Sequence, residues 1–415
     1  MRPSGDTSYV RLTNPYRAFL PRATAAWVAL LLLALVGLGY VTLRRSVGIE
    51  LPTPDGSYGV GRTAFEWVDT SRDDPLAPRP GTPRELAVWL WYPASTANGA
   101  PTAPYAPGGW AELRLSLPLS LGESRIDRVR THSIEDAAIA TGRFPVVILL
   151  PGLGFAAPQY ASLAENLASH GYLVAGVTPT FSAQVTVLHG RVVPQSAAGN
   201  PPALEGSDVD AATAAADRLV QVWAEDALFT ATRLAGLDAD GAFARHVDSS
   251  RTAYVGHSFG GAAGLEACRR DPHCVGAVDL DGTPYGPVVR SGLKHPYMII
   301  GSEKSCVPGG CEKPATASDR ADLAAARSLL THSTGQSWRY RIIGGRHFNF
   351  SDYGAYYLAL PVRAMLALGS IDGPRALQIV NSYLTAFLDH AARGGPTSAL
   401  DADPPPFSEV RVVPR

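Results

Sequence analysis

Apolar residues along the chain fall into one long run and several short ones. The long run, Ala23–Leu43 (ATAAWVALLLLALVGLGYVTL), carries no charge and has about the 20 residues that a bilayer span needs. Among the short ones, Phe144–Leu150 (FPVVILL) is continuous, as in a central parallel strand buried on both faces. Pro151-Gly152-Leu153-Gly154 breaks it. Tyr160–His170 then has helical spacing, with Leu163, Leu167 and Ala168 on one side, and Tyr172–Val177 reads as the next strand. Upstream, Arg84–Tyr92 alternates as a strand, Val47–Pro83 reads as a lead-in, and Pro93–Leu121 shows no period. Phe181–Glu205 reads as a loop suited to a lid, and Asp208–Leu237 as a long helix. Strands follow at Arg251–Val255, Val275–Leu280, Pro296–Ile300 and, last, Trp338–Ile343. Helices are expected at Phe259–Arg270 and Ile379–Ala392. Strands alternating with helices predict an α/β protein, a mostly parallel sheet with helices on both faces. The expected organisation is a tail over residues 1–22, a span over 23–43, one α/β domain over 44–392 and a frayed Pro-rich tail over 393–415.

Residues flanking the long run bear on where the domain lies. No Ala-x-Ala site follows it, which favours an uncleaved anchor over a cleaved and secreted form. Arg2, Arg11, Arg17 and Arg22 precede the run and Arg44 and Arg45 follow, so the tail is expected in the cytoplasm and the domain outside. All four cysteines fall in the domain, as Cys268/Cys274 and Cys306/Cys311. Local disulfides suit an extracytoplasmic compartment, although four cysteines allow three pairings. The spacing lacks the two-residue Cys knuckle of a zinc site, so no metal is expected. A net charge of −1 argues against nucleic acid as a partner. At 46% hydrophobic residues the chain is rich enough for a large core and unlike a disordered one.

Candidate chemistry centres on Gly256-His257-Ser258-Phe259-Gly260, a G-x-S-x-G match between a strand and a helix. There a serine is held on a strained turn, with a helix N-terminus beneath it to favour negative charge. Ser258 is the expected nucleophile. A serine needs a base, and the base an orienting carboxylate, here in the order Ser, acid, His. Of the downstream histidines, His295 begins a strand, His332 ends a helical stretch and His390 lies in the last helix. His347 follows the last expected strand, at the carboxyl edge where ligands bind in open α/β sheets. His257 is expected only to pack beside the turn. Asp281 is favoured as the acid; Asp279, on the same strand face if the strand runs on, and Glu303, after the next strand, stay open. An oxyanion hole needs two amides. Phe259 should supply one and the loop Gly152–Phe155 the other.

The runs PGLGFAAPQYASLAENLASHGYLVAGV, GHSFGGA, VGAVDLDG, IIGSE and GGRHFNFSDY resemble the plasma-type platelet-activating-factor acetylhydrolases (lipoprotein-associated phospholipases A2). The resemblance covers roughly Arg84 to Gly354 and implies an α/β-hydrolase fold. It selects Asp281 as the acid, makes Glu303 a residue outside the triad, and places the oxyanion amides at Leu153 and Phe259. Pro151 stands where the family has His, which is expected to alter the pocket rim. The implied activity is a cofactor-free serine esterase that releases short or oxidised sn-2 acyl groups from phospholipids. The alternatives are a general carboxylesterase or polyester (cutinase-like) hydrolase with the same triad, acyl transfer to another acceptor alcohol, and a non-catalytic surface-binding protein on the same fold.

Overall fold

The computed structural model describes residues 22–95, 99–115, 119–311, 314–356 and 358–414. The expected tail with Arg2, Arg11 and Arg17 lies outside them. The chain divides into two compact units, Met1–Arg44 and Arg45–Arg415. Helix α1 (Arg22–Ser46) is the one helix among the described residues long and apolar enough to cross a membrane. A signal sequence can have the same length and apolarity.

The second unit is built on a ten-stranded sheet. In chain order its strands are β1 (Gly59–Asp73), β2 (Pro83–Ala94), β3 (Ile134–Glu135), β4 (Phe144–Leu150), β5 (Leu173–Thr178), β6 (Val247–His257), β7 (Cys274–Leu280), β8 (Tyr297–Ser302), β9 (Ser337–Ile342) and β10 (Val410–Val412). They lie in the order β10-β9-β8-β7-β6-β4-β5-β2-β1-β3. The six from β5 to β9 in that row are parallel, and β2 and β10 flank them antiparallel. Both faces are covered, as the continuous apolar run of β4 requires. Val147 and Leu149 point toward α2 (Ala161–Ser169) and α6 (Gly373–Arg393). Val146 and Ile148 point toward α3 (Val209–Leu237), α4 (Phe259–Arg270) and α5 (Ala317–His332).

Four segments differ from the pattern read in the sequence. Val47–Pro83 is more than a lead-in, since it holds β1, paired with β2 from Gly59–Ala94 to Asp73–Pro83. That long antiparallel strand is half exposed and lacks a continuous apolar run, so its polar positions hide it. Phe181–Glu205 contains a short hairpin, Val185–Leu188 with Arg191–Pro194. The described part of the tail, residues 393–414, is not frayed. Its Val410–Val412 adds strand β10, Asp401 accepts from Trp338 Nε1 at 2.8 Å, and Leu400 accepts from Tyr340 Oη at 2.6 Å. The last helix starts at Gly373, six residues before Ile379, with the Asp372 carboxylate accepting from the Arg375 amide. The cysteines pair locally as expected, Cys268–Cys274 joining the end of α4 to β7 and Cys306–Cys311 closing a loop after β8.

One buried ion cluster ties the sheet to α3. Arg84 on β2 is fully buried and donates to Asp226 of α3 at 2.5 and 3.0 Å, to Asp74 at 2.9 Å and to the Thr180 carbonyl at 2.7 Å. Arg72 donates to the same Asp226 at 2.5 Å. Less than one turn away on the same helix, Trp223 packs edge-on against Phe259, the residue after the candidate nucleophile, at 5.0 Å between ring centres. Removing one partner of a buried pair leaves a charge without compensation, which costs about 3–5 kcal/mol. Asp226→Ala should therefore lower the unfolding free energy by about that much in urea titrations. A loss below about 1 kcal/mol, typical of exposed pairs, would show that the cluster does not hold α3 in place.

Candidate active site

Ser258 sits in the turn between β6 and α4, with φ 56° and ψ −125°. A non-glycine residue rarely adopts such a positive φ. The neighbours explain how it is tolerated. A Cβ on Gly256 would run into the backbone of Gly260 and Gly261, and one on Gly260 into the carbonyls of Pro151 and Leu150. Glycine at both positions lets α4 start directly against the ends of β4 and β6. The register puts Gly256 beside Leu150 on one side and Asp279 on the other. The serine therefore stands at the carboxyl edge of the central strands, where open α/β sheets bind ligands.

His347 and Asp281 reach the same edge. His347 follows β9 and Asp281 follows β7. His347 Nδ1 donates to Asp281 Oδ2 at 2.9 Å, and Ser258 Oγ donates to His347 Nε2 at 2.9 Å. The Ser302 amide donates to Asp281 Oδ1 at 2.8 Å. Burial alone would raise the Asp281 pKa. The His347 hydrogen bond and charge, with the Ser302 and Ser305 hydrogen bonds, hold it below the usual carboxylate range.

The other two acids stand elsewhere. β7 ends at Leu280 and Asp281 takes φ 59°, so Asp279 and Asp281 do not share a face. Asp279 is buried beneath the turn and accepts from the Gly282 amide at 2.8 Å. Burial and nearby Asp281 push its pKa well up. Glu303 is exposed and accepts from the Gly344 amide at 3.0 Å, tethering the loop that leads to His347. That loop has further ties which sequence reasoning did not single out. Asn349 Oδ1 accepts from the amides of Arg346 at 2.9 Å and Gly369 at 2.8 Å. Asp352 accepts from the Ala161 amide at 2.9 Å and Tyr105 Oη at 3.1 Å, pinning the end of the loop to the start of α2. Their only sequence signal was their place in the run GGRHFNFSDY.

A cavity of about 810 Å³ opens over Ser258, with Leu153, Phe259 and His347 in its wall. Phe259 opens α4, so its amide is among those that helix geometry leaves without an intrahelical acceptor. Tyr285 and Leu204 add apolar surface, and Lys304 and Arg346 add charge. Pro151, expected at the rim, is buried with its carbonyl against Gly260, because the close start of α4 covers it. His295 precedes β8, His332 ends α5 and His390 lies against Trp338 on α6, all apart from the cavity wall. Among the described residues no group of three His, Cys, Asp or Glu side chains gathers in a metal-holding arrangement.

Comparison with known proteins bears on this site. A family model described as platelet-activating factor acetylhydrolase, isoform II, matches residues 238–394, which include Ser258, Asp281 and His347. The platelet-activating factor acetylhydrolase of Cavia porcellus is 25% identical over 81% of this chain and 77% of its own. A probable 1-alkyl-2-acetylglycerophosphocholine esterase of Arthroderma benhamiae is 24% identical over 87% of this chain and 92% of its own. Among solved structures, a ferulic acid esterase from Streptomyces cinnamoneus superposes with a TM-score of 0.73 at 28% identity, covering 89% of this chain and all of that one. With two acetylhydrolase-type esterases and a third esterase alike over most of its length, the chain is a carboxylic ester hydrolase related to the platelet-activating factor acetylhydrolases.

Proposed function

We propose that the chain is a serine esterase of the α/β-hydrolase fold whose triad is Ser258, His347 and Asp281. The observation that carries this is the continuous hydrogen-bonded line from Ser258 Oγ through the His347 ring to Asp281 at the floor of the cavity. Ser258 Oγ attacks the ester carbonyl while His347 Nε2 takes its proton. The carbonyl oxygen becomes an oxyanion held by the amides of Leu153 and Phe259. His347 then gives the proton to the departing alcohol, leaving an acyl group on Ser258. Water attacks that acyl group with His347 again accepting a proton, and the acid leaves. Asp281 stays ionised, keeps the proton on Nδ1 and stabilises the imidazolium.

The favoured substrate is a phospholipid with a short or oxidised sn-2 acyl chain. The names of the Cavia porcellus and Arthroderma benhamiae relatives support it. The Streptomyces cinnamoneus likeness supports a second reading, a general carboxylesterase with the same triad. We read α1 as an uncleaved membrane anchor with the second unit outside the cell. Its length, its apolarity and the two disulfides support that reading.

Hydrolysis of sn-2 acetyl, hexanoyl and palmitoyl phosphatidylcholines, set beside aryl esters, decides between the two substrate readings. With Ser258→Ala as the blank, serine-dependent preference for the acetyl lipid is expected. Aryl-ester cleavage without phospholipid turnover would move the enzyme to the general class. Asp281→Asn should lower kcat by about 10⁴-fold by favouring the wrong imidazole tautomer. Asp279→Asn and Glu303→Gln should keep most of the activity, and a reversed ranking in steady-state assays would reassign the acid. In alkaline extraction the full chain should stay with membranes; its release would point to a cleaved or peripheral form.

A further inference from the structure

His257, next to the candidate nucleophile, is fully buried, yet both of its ring nitrogens are hydrogen-bonded. Nε2 lies 2.9 Å from the main-chain carbonyl of His347. A carbonyl can only accept, so Nε2 carries the hydrogen and Nδ1 presents a lone pair. Tyr160 Oη lies 2.7 Å from Nδ1 and donates to it. The same hydroxyl oxygen accepts from the Gly152 amide at 2.9 Å. The amide at one end can only donate and the carbonyl at the other can only accept, which fixes the direction of every bond in a chain from Gly152 through Tyr160 and His257 to His347.

The surroundings keep this chain in one state. Burial and the neighbouring His347 push the His257 pKa down to about 3, so the ring stays neutral. Burial pushes the Tyr160 hydroxyl well above its ordinary range, so it keeps its proton. Phe350 stacks on the His257 ring at 6.0 Å and Phe155 meets it edge-on at 6.3 Å. A Cβ on Gly152 would come within 3.1 Å of His257 Nδ1 and 3.4 Å of both Tyr160 Oη and Ser258 Cβ. The loop is thus seated against Tyr160 and His257, the two side chains that carry the hydrogen bonds, and against Ser258.

We infer that His257 is a positioning residue that, with Tyr160, holds the Gly152–Leu153 oxyanion loop and the backbone of His347 in one fixed relation. The two arms serve different parts of the reaction. Gly152 precedes Leu153, the proposed oxyanion donor in the cavity wall, and the His347 carbonyl belongs to the proposed base itself. A buried ring locked by packing and by a bond at each end suits that task, because misplacing reacting groups by about 1 Å can cost about 100-fold in rate. The inference rests on Ser258, His347 and Leu153 acting as proposed above.

The test uses the full chain with Tyr160→Phe, His257→Gln, His257→Leu and the Tyr160→Phe/His257→Leu double variant. Steady-state rates on an aryl acetate are divided by the number of sites that a fluorophosphonate labels to completion, so that loss of folded protein is counted separately. Per labelled site, Tyr160→Phe should lower kcat about 10-fold and His257→Leu about 100-fold, with KM within about threefold. The double variant should be no slower than His257→Leu, because both changes break one chain. His257→Gln should recover part of the loss, since its amide offers both an N–H donor and a carbonyl acceptor. Single variants with kcat within about threefold of wild type, or losses that multiply in the double variant, would overturn the inference. So would a defect confined to the labelled fraction. If His257→Leu does not fold, Tyr160→Phe and His257→Gln decide the matter. A wild-type chain that neither turns over ester nor labels at Ser258 would overturn the triad reading, and this inference with it.

Discussion

At Ser258 the chain must pass from strand into helix within one residue, at a backbone angle that side-chain-bearing residues avoid. Such a conformation persists only where the surroundings over-determine it. Here α4 is pressed so close to β4 and β6 that glycine is the only residue that fits at positions 256 and 260. The same closeness sets the distance from Ser258 to the Gly152–Leu153 loop on one side and to the end of β7 on the other. The parallel arrangement of β4, β6 and β7 then becomes a functional requirement as well as a packing solution. Only strands running the same way can deliver the Gly152–Leu153 loop, Ser258 and Asp281 to one edge.

Two aspartates only two residues apart show how far local geometry decides chemistry. Asp279 is still within β7, beneath the turn, with a single amide donor and a second carboxylate nearby. Asp281 has left the strand at φ 59° and meets the His347 ring and the Ser302 amide. Both are buried, and burial alone would push both toward the neutral acid. The charge and donors supplied by the β8 and β9 loops reverse that for Asp281 and leave it in force for Asp279. A carboxylate held low in pKa can stabilise an imidazolium, whereas Asp279, raised by burial and by nearby Asp281, is ill suited to that task.

This contrast also marks what a sequence can convey. The continuous apolar run of β4 and the Ala-rich face of α3 were legible because each carries the period of its own element. That Ser258, Asp281 and His347 meet was legible because they follow strands in a fixed chain order. β1 was not, since an antiparallel strand near the sheet edge needs apolar residues on one face only, and its polar positions read as loop. β10 was not, since three residues have no period to read. The partners of His257 were hidden for a different reason. Tyr160 lies 97 residues upstream and the His347 carbonyl 90 downstream, so the environment of the ring exists only after the sheet has formed.

The division of labour between strand ends and outer loops explains why esterases of different named substrates can resemble one chain. The Ser258 turn, the Asp281 exit and the Gly152–Leu153 loop are tied to strands packed on both faces, and none can shift without disturbing the sheet. Tyr285, Lys304 and Arg346 stand on the segments beyond β7, β8 and β9, and Leu204 on the segment before α3. Such surface segments vary at little cost to the core. Pro151 follows the same logic in reverse. Its carbonyl lies against Gly260, so its main chain belongs to the reaction frame even though its side chain departs from the acetylhydrolase pattern. Preference among esters therefore belongs to the loops, while the frame on which an ester is cleaved belongs to the sheet.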